Sequence, residues 1–322
     1  MFKKVPNSYI SNDDIVNVKI INNDVILTKV YFQNTKCRIK NISKKEYEDV
    51  ATGEVKEKKL NKTGSINITS AKKSSKKLRE LINNNVDTSG RCLLLTLTYE
   101  DEKKSINSMK DGGYLLKYKL KTPKAKKLFK YNSYEYIMIN EPQGNGRNHL
   151  HIFLITDSTR VFINEKKLAK IWGKGFVFVE KIKDGVTNLG YYYDYIFNAM
   201  TLKEIKDNNI DIDLIDNKPE TKKWIGPRGG KHSKRFVKGA RMLLMKEYTR
   251  HYSYSKGIKT PEEIKNIKSA VAKEIFLDNP DKKPDETVAY LIGDIKYDSF
   301  NKITKNIYKN SYKNTDEFDD YA

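Results

Sequence analysis

The sequence predicts an α+β fold, an antiparallel sheet in βαββαβ order with one further helix and basic regions on either side. Three observations carry this expectation. Between residues 92 and 206, short apolar runs alternate with segments that have helix-capping residues at their ends. Two of the runs, Tyr134 to Ile139 and His149 to Ile155, flank the turn Pro142-Gln143-Gly144-Asn145-Gly146, which makes them antiparallel neighbours. The 322 residues, 38% of them hydrophobic, supply enough apolar material for one large domain or two ordinary ones.

Taken in order, residues 15–20 and 25–31 are rich in β-branched side chains and flank Asn22-Asn23-Asp24, a hairpin signal. From Ser43 to Ser75 lysines replace apolar residues, and the segment reads as an exposed, partly flexible arm. Ser74 or Ser75 would cap a basic helix through Ile82, stopped by Asn83-Asn84-Asn85. Residues 1–88 thus read as a basic N-terminal region. The core is expected over 89–206. Cys92 to Tyr99 is almost continuously apolar, as in a strand buried on both faces. A helix is expected from Leu115 to Tyr131, bent or broken at Pro123. The hairpin follows, and the end of its first strand delivers Glu141 to the turn. Asn164 opens a short helix to Trp172, ended by Gly173 and Gly175, and Phe176 to Ile182 alternates as a strand. Asn188 caps a helix from about Leu189 to Lys206. This order suggests helices packed on one side of the sheet. Residues 207–322 read as basic and mainly helical, with helices over 236–252, 261–277 and 286–300. The first of these carries Lys238, Arg241, Lys246 and Arg250, and an acidic, disordered tail runs to Ala322.

The 62 Lys and Arg against 41 Asp and Glu leave a charge of +21, which points to a polyanionic partner, nucleic acid first. A membrane is the weaker reading, because there is neither a long apolar run nor a strongly basic amphipathic helix with an aromatic face. Residues 1–10 contain Pro6 and polar residues where a signal peptide needs an apolar segment. The cysteines, Cys37 and Cys92, form no CxxC pair and suggest a reducing compartment. There is no GxxxxGK[ST] loop, so no ATP-driven helicase is expected.

Two of the four histidines, His149 and His151, stand two apart in a strand and so share one face. With Glu141 across the hairpin they make a three-ligand site with open positions for a divalent ion. Mg²⁺ or Mn²⁺ suits it better than zinc, given the absence of cysteine and a phosphate as substrate. Tyr191 and Tyr195 lie one helical turn apart, and a nearby metal ion helps a phenol attack phosphorus. In a chain with 21 tyrosines the same spacing also fits core or surface aromatics. Arg147, Lys170, Lys174 and Lys181 are candidates to hold a phosphodiester backbone, although each also reads as a solvated charge.

Thr96-Leu97-Thr98-Tyr99, Glu141, Gly144 through His151, Trp172 with Gly175-Phe176-Val177, and Tyr191 through Tyr195 resemble the ordered motifs of HUH-superfamily initiators of rolling-circle replication. The resemblance is closest to the replication-associated proteins of small bacterial plasmids and single-stranded DNA phages. It covers about 91–199, with weaker echoes near Ser74 and at Ser253 to Ile258 that extend it to about 260. It implies a ferredoxin-like HUH endonuclease core, with His149, His151 and Glu141 as metal ligands. It further implies Tyr191 as the nucleophile that leaves a 5′-phosphotyrosine and a free 3′-hydroxyl, and Tyr195 as the second tyrosine. Single-stranded or origin DNA, a host helicase and a DNA polymerase would be the partners, in the cytoplasm of a bacterial host. Asp194 and Asn198 stand where that family often has lysines, so the number and register of active tyrosines stay open. A mobilisation relaxase or single-strand transposase would use the same chemistry. The rival from another class is a non-catalytic single-strand-binding sheet, which would usually carry aromatics on its face.

Overall fold

The computed structural model describes residues 2–4, 9–31, 39–43, 46–49, 52–57, 68–101, 105–186, 188–211, 219–225, 231–245, 250–294, 299–309 and 311. Several side chains within its elements, Tyr195 among them, are outside the described set, as are Cys37 and the acidic tail from 312. The chain divides into two compact units, one made of residues 1–62 with 261–322 and the other of residues 63–260. Both are built on antiparallel sheets, and seven α-helices occur among the described residues.

The first unit begins with β1 (Phe2–Lys4), β2 (Ile15–Ile21) and β3 (Asp24–Tyr31). The expected hairpin forms, with Ile21 opposite Asp24 and Asn22 at φ 56° in the turn, a conformation asparagine tolerates. The lysine-rich stretch that reads as an arm contains three short strands, β4 (Ile39–Asn41), β5 (Glu46–Asp49) and β6 (Val55–Glu57), in a sheet of their own.

The second unit opens with α1 (Ile68–Asn85), which starts before the expected serine cap and runs through the three asparagines. Ser75 lies inside this helix and is buried. Next come β7 (Cys92–Leu97), α2 (Ser108–Tyr114), a π-helical turn over Leu115–Lys119 and α3 (Pro123–Phe129). The single helix expected over 115–131 is therefore divided. Pro123 starts a new helix, where its missing N–H costs nothing, and Thr122 caps it by accepting from Ala125 N. The hairpin is β8 (Tyr134–Pro142) and β9 (Asn148–Thr156), closed by hydrogen bonds from Gln143 N to Arg147 O and from Gly146 N to Gln143 O. Then follow α4 (Glu165–Trp172), capped by Asn164 and ended by left-handed Gly173, β10 (Val177–Lys181) and α5 (Leu189–Asn198).

The helix expected to reach Lys206 stops at Asn198. Met200 and Thr201 form β11 (Met200–Thr201), and Thr201 with Glu204 makes a complete capping box that starts α6 (Leu202–Asp207). Two strands, β12 (Glu220–Ile225) and β13 (Lys231–Val237), join β11 in one sheet, and a 3₁₀ turn follows over Ala240–Leu244. This replaces the helix expected over 236–252. Finally β14 (Tyr252–Tyr254) adds to the edge of β8. The chain then returns to the first unit with β15 (Glu262–Lys268), α7 (Ser269–Phe276), β16 (Glu286–Asp294) and β17 (Ser299–Tyr308). Residues 286–294 and 262–268 are strands where helices were expected. Thr287, Val288 and Tyr290 favour an extended chain, and β17 provides β16 with a partner along its whole length.

The sheet of the second unit has the order β10-β7-β9-β8-β14 and is covered on both faces, not on one as the helix count suggested. Leu93, Leu95, Leu97, Leu150, Ile152 and Leu154 pack on one side with Leu115, Leu116, Phe129, Leu168 and Trp172. Leu94, Ile137, Ile139, Phe153 and Ile155 pack on the other with Leu78, Leu81, Ile82, Tyr193 and Phe197. Helix α5 can approach α1 because Gly190 lies at their crossing, where a Cβ would come within 2.3 Å of Arg79 O. No helix among the described residues is long and apolar enough to cross a membrane.

Candidate metal centre

The register of three strands assembles the site. Glu141 lies directly opposite His149, still within β8 and not beyond its end, while Thr96, His151 and Ile139 form one row across β7, β9 and β8. Directly opposed residues share a face, so Glu141, His149, His151 and Thr96 point the same way. One potential ligand atom from each of Glu141, His149 and His151 lies within 4.8 Å of the others. Glu141 Oε2 is 2.7 Å from His151 Nε2 and 3.7 Å from His149 Nδ1.

Each ligand is oriented from behind. Thr96 Oγ1 lies 3.0 Å from His151 Nδ1, so one hydroxyl fixes the ring and leaves Nε2 facing the carboxylate. Phe197 of α5 stacks on the His151 ring at 4.3 Å between centroids. The other carboxylate oxygen, Glu141 Oε1, is 3.1 Å from Arg241 Nε, close enough to pair in charge although Nε itself makes no hydrogen bond. Arg241 is buried and fixed at its far end by donating from Nη2 to Ala199 O at 3.1 Å and from Nη1 to Pro142 O at 3.3 Å. Nη2 also lies 3.5 Å from Glu204, the acidic half of the capping box.

Burial pushes the Glu141 carboxyl up, but the charge and hydrogen bond of His151, with Arg241 and His149 adding to them, hold it below the usual carboxylate range. Burial lowers His149 and outweighs the opposing pull of Glu141. An ionised carboxylate beside a neutral imidazole is thus the resting pair, and this is the form that binds a cation. Since a carboxylate only accepts, a proton or a cation must occupy the gap between Oε2 and His151 Nε2. Two imidazoles and one carboxylate with open positions fit a divalent transition ion or Mg²⁺, and the residues present therefore suit the expected group.

Helix α5 sorts its tyrosines by depth. Tyr193 is buried in the core against Phe153 and Phe197, with its hydroxyl accepting from Lys183 N. Tyr192 is half-buried, and Tyr191 is 48% exposed. Lys238 Nζ lies 3.5 Å from the centre of the Tyr191 ring. Lys238 and Arg241, three residues apart, therefore connect Tyr191 with Glu141. Sequence reading placed both on a solvated helix and gave neither a role, and in a chain with so many cations nothing marked them. Thr96 was quoted only as part of a motif.

Asp194 and Asn198 do not face this site as open side chains. Asp194 is 2% exposed and is held by Ser75 Oγ, by Arg79 Nη1 at 2.8 Å and by Asn198 Nδ2 at 2.8 Å. The network joins α5 to α1, which is what acidic and amide side chains at these two positions do. Of the four basic candidates, Arg147 lies in the hairpin turn and its charge reaches His149. Lys170 is on α4, whose apolar side packs on the opposite face of the sheet, and Lys174 pairs with Asp111 at 3.2 Å. Lys181 ends the edge strand β10. The other quoted motifs interlock: Trp172 Nε1 donates to Thr98 O at 2.9 Å, and Thr98 Oγ1 accepts from Phe176 N at 2.9 Å.

The geometry defines a three-ligand candidate metal centre beside a helix that exposes one tyrosine. A family model described as replication-associated protein ORF2 matches residues 92–199, the span from the first residue of β7 to just past α5. That match supports a role in replication initiation and covers all three ligands and the tyrosine run. No curated protein and no solved structure matches the chain.

Proposed function

We propose that this protein initiates rolling-circle replication by nicking and rejoining single-stranded DNA at an origin through a 5′-phosphotyrosine. The observation that carries the reading is the convergence of Glu141, His149 and His151 inside the segment that matches replication-associated proteins. Glu141 Oε2, His149 and His151 would hold Mg²⁺ or Mn²⁺, and imidazole ligands favour Mn²⁺. When bound, the ion polarises a phosphate oxygen and makes phosphorus more electrophilic. Tyr191 is the nucleophile. Its phenolic oxygen forms a bond to the 5′-side phosphorus, the bond to the preceding 3′-oxygen breaks, and the phenolic proton is given up as that oxygen leaves as a hydroxyl. One phosphodiester replaces another, so the reverse attack by a 3′-hydroxyl rejoins DNA without ATP. Tyr195 is the candidate for the second cut. Arg241 keeps Glu141 ionised and turned toward the histidines, and Lys238 keeps the Tyr191 ring in place. Arg147, Lys170, Lys174 and Lys181 are candidates for backbone contacts, with Arg147 nearest the ligands. Unwinding and synthesis fall to a host helicase and polymerase.

The test is incubation of the protein with labelled single strands from its own replicon and Mn²⁺. A covalent adduct is expected, lost in Tyr191→Phe and in His151→Ala. Absence of an adduct with every origin-derived strand, or its survival in both variants, defeats the reading. Mapping the cut to a transfer origin or to an element end would instead assign the same chemistry to mobilisation or transposition.

A further inference from the structure

We infer that Phe176 and Phe178 form a platform on which bases of single-stranded DNA stack, beside the candidate metal centre and on the same face of its sheet. The inference rests on single-stranded DNA being the substrate, as proposed above. Phe176 is 73% exposed and Phe178 is 54% exposed, so both rings gain little from hydrophobic burial. Their direction follows from register. Phe178 lies opposite Thr96, and Thr96 lies opposite His151, so the three share a face. Phe176, two residues earlier, shares it by alternation. Two strand spacings separate Phe178 from His151, about 10 Å across the sheet. One continuous strand can therefore touch both places.

The platform is rigid. Thr98 N donates to Phe176 O at 2.9 Å, and Phe176 N donates to Thr98 Oγ1 at 2.9 Å. A Cβ at Gly175 would come within 2.5 Å of Thr98 O, so the backbone is pressed against β7 there. Lys181 and Lys183, both exposed, follow along the same strand and loop, while exposed Glu180 marks the end of the aromatic row. Exposed rings on a fixed strand, flanked by cations in a chain of charge +21, suit a sequence-tolerant contact with single strands. The aromatics that a single-strand-binding sheet would carry are thus present, on the edge strand, alongside the histidines and threonines.

The test uses the full chain in EDTA, with fluorescein-labelled oligo-dT read by anisotropy and a 2-aminopurine-containing strand read by fluorescence. Phe176→Ala and Phe178→Ala should each weaken single-strand binding about 5- to 150-fold and relieve 2-aminopurine quenching. Phe178→Trp should retain both signals, and the melting temperature should stay that of the parent because both rings are exposed. No single-strand binding by the parent, a double variant that binds within twofold of it, or a Phe178→Leu variant that binds equally well overturns the platform. The last result would mean a merely apolar contact, as with a protein partner. The adduct assay separates this inference from the proposed function. Adduct formation with binding independent of the phenylalanines removes the platform alone. Binding that depends on them, with no adduct from any strand, removes the nicking chemistry alone.

Discussion

Replacing Arg241 by Met tests how the metal centre is held. The guanidinium is the only cation placed at 3.1 Å from Glu141 Oε1 among the described residues, and it also satisfies the carbonyls of Ala199 and Pro142. Its loss strands a carboxylate that is 8% exposed and leaves two acceptors without this donor. Breaking a buried pair from one side costs about 3–5 kcal/mol. The lower end applies, because Arg241 Nε is off line for a hydrogen bond and the contact with Glu204 is half exposed. For a unit of this size, about 3 kcal/mol corresponds to a melting temperature lower by roughly 6–12 °C, measured by calorimetry in EDTA. Glu141→Gln with Arg241→Met should cost less than the two changes added, by about 1–3 kcal/mol, since no charge is then left unpaired. Mn²⁺ should restore part of the loss in the single variant by supplying the missing positive charge. A shift below about 2 °C, or strict additivity, would show that Arg241 does not hold Glu141.

Thr96→Val removes the hydroxyl behind His151 Nδ1 and should weaken Mn²⁺ binding about 10- to 100-fold by calorimetric titration, with an unchanged affinity counting against the hydroxyl's orienting role. Gly190→Ala should destabilise by about 1–3 kcal/mol in urea unfolding, because the contact with Arg79 O outweighs the roughly 1 kcal/mol that alanine gains in a helix; a stabilised variant would refute the close crossing. Burial holds buried His251 below its ordinary value, against a weaker pull from Asp194. The unfolded chain therefore takes up a proton that the folded chain refuses as pH falls through about 6.5, and stability declines from there toward the folded value. His251→Gln should make that decline shallower in unfolding midpoints compared at about pH 7.5 and 5.5, and an unchanged slope would exclude this histidine.

Local sequence by itself determined the hairpin at the heart of the second unit, the Asn164-capped helix with its glycine stop, and the pairing of two histidines on one face. Each follows from neighbours in the chain: strand alternation, a cap or a turn fixes them before any distant contact forms. Glu141 was legible as a third ligand for the same reason, since a tight turn sets its register against His149. What lay beyond the sequence depends on contacts made across long separations. Residues 286–294 became a strand because β17 pairs with them, and β17 in turn pairs with β3 from the other end of the chain. The helix after Asn188 stopped at Asn198 because Met200 and Thr201 pair with β13. Arg241 became part of the centre only when β13 and its 3₁₀ turn carried it to Glu141, 100 residues away in sequence. The depth of Tyr191 against Tyr193 was likewise decided by packing on Phe153 and Phe197, because adjacent tyrosines are chemically alike until one face of their helix is buried.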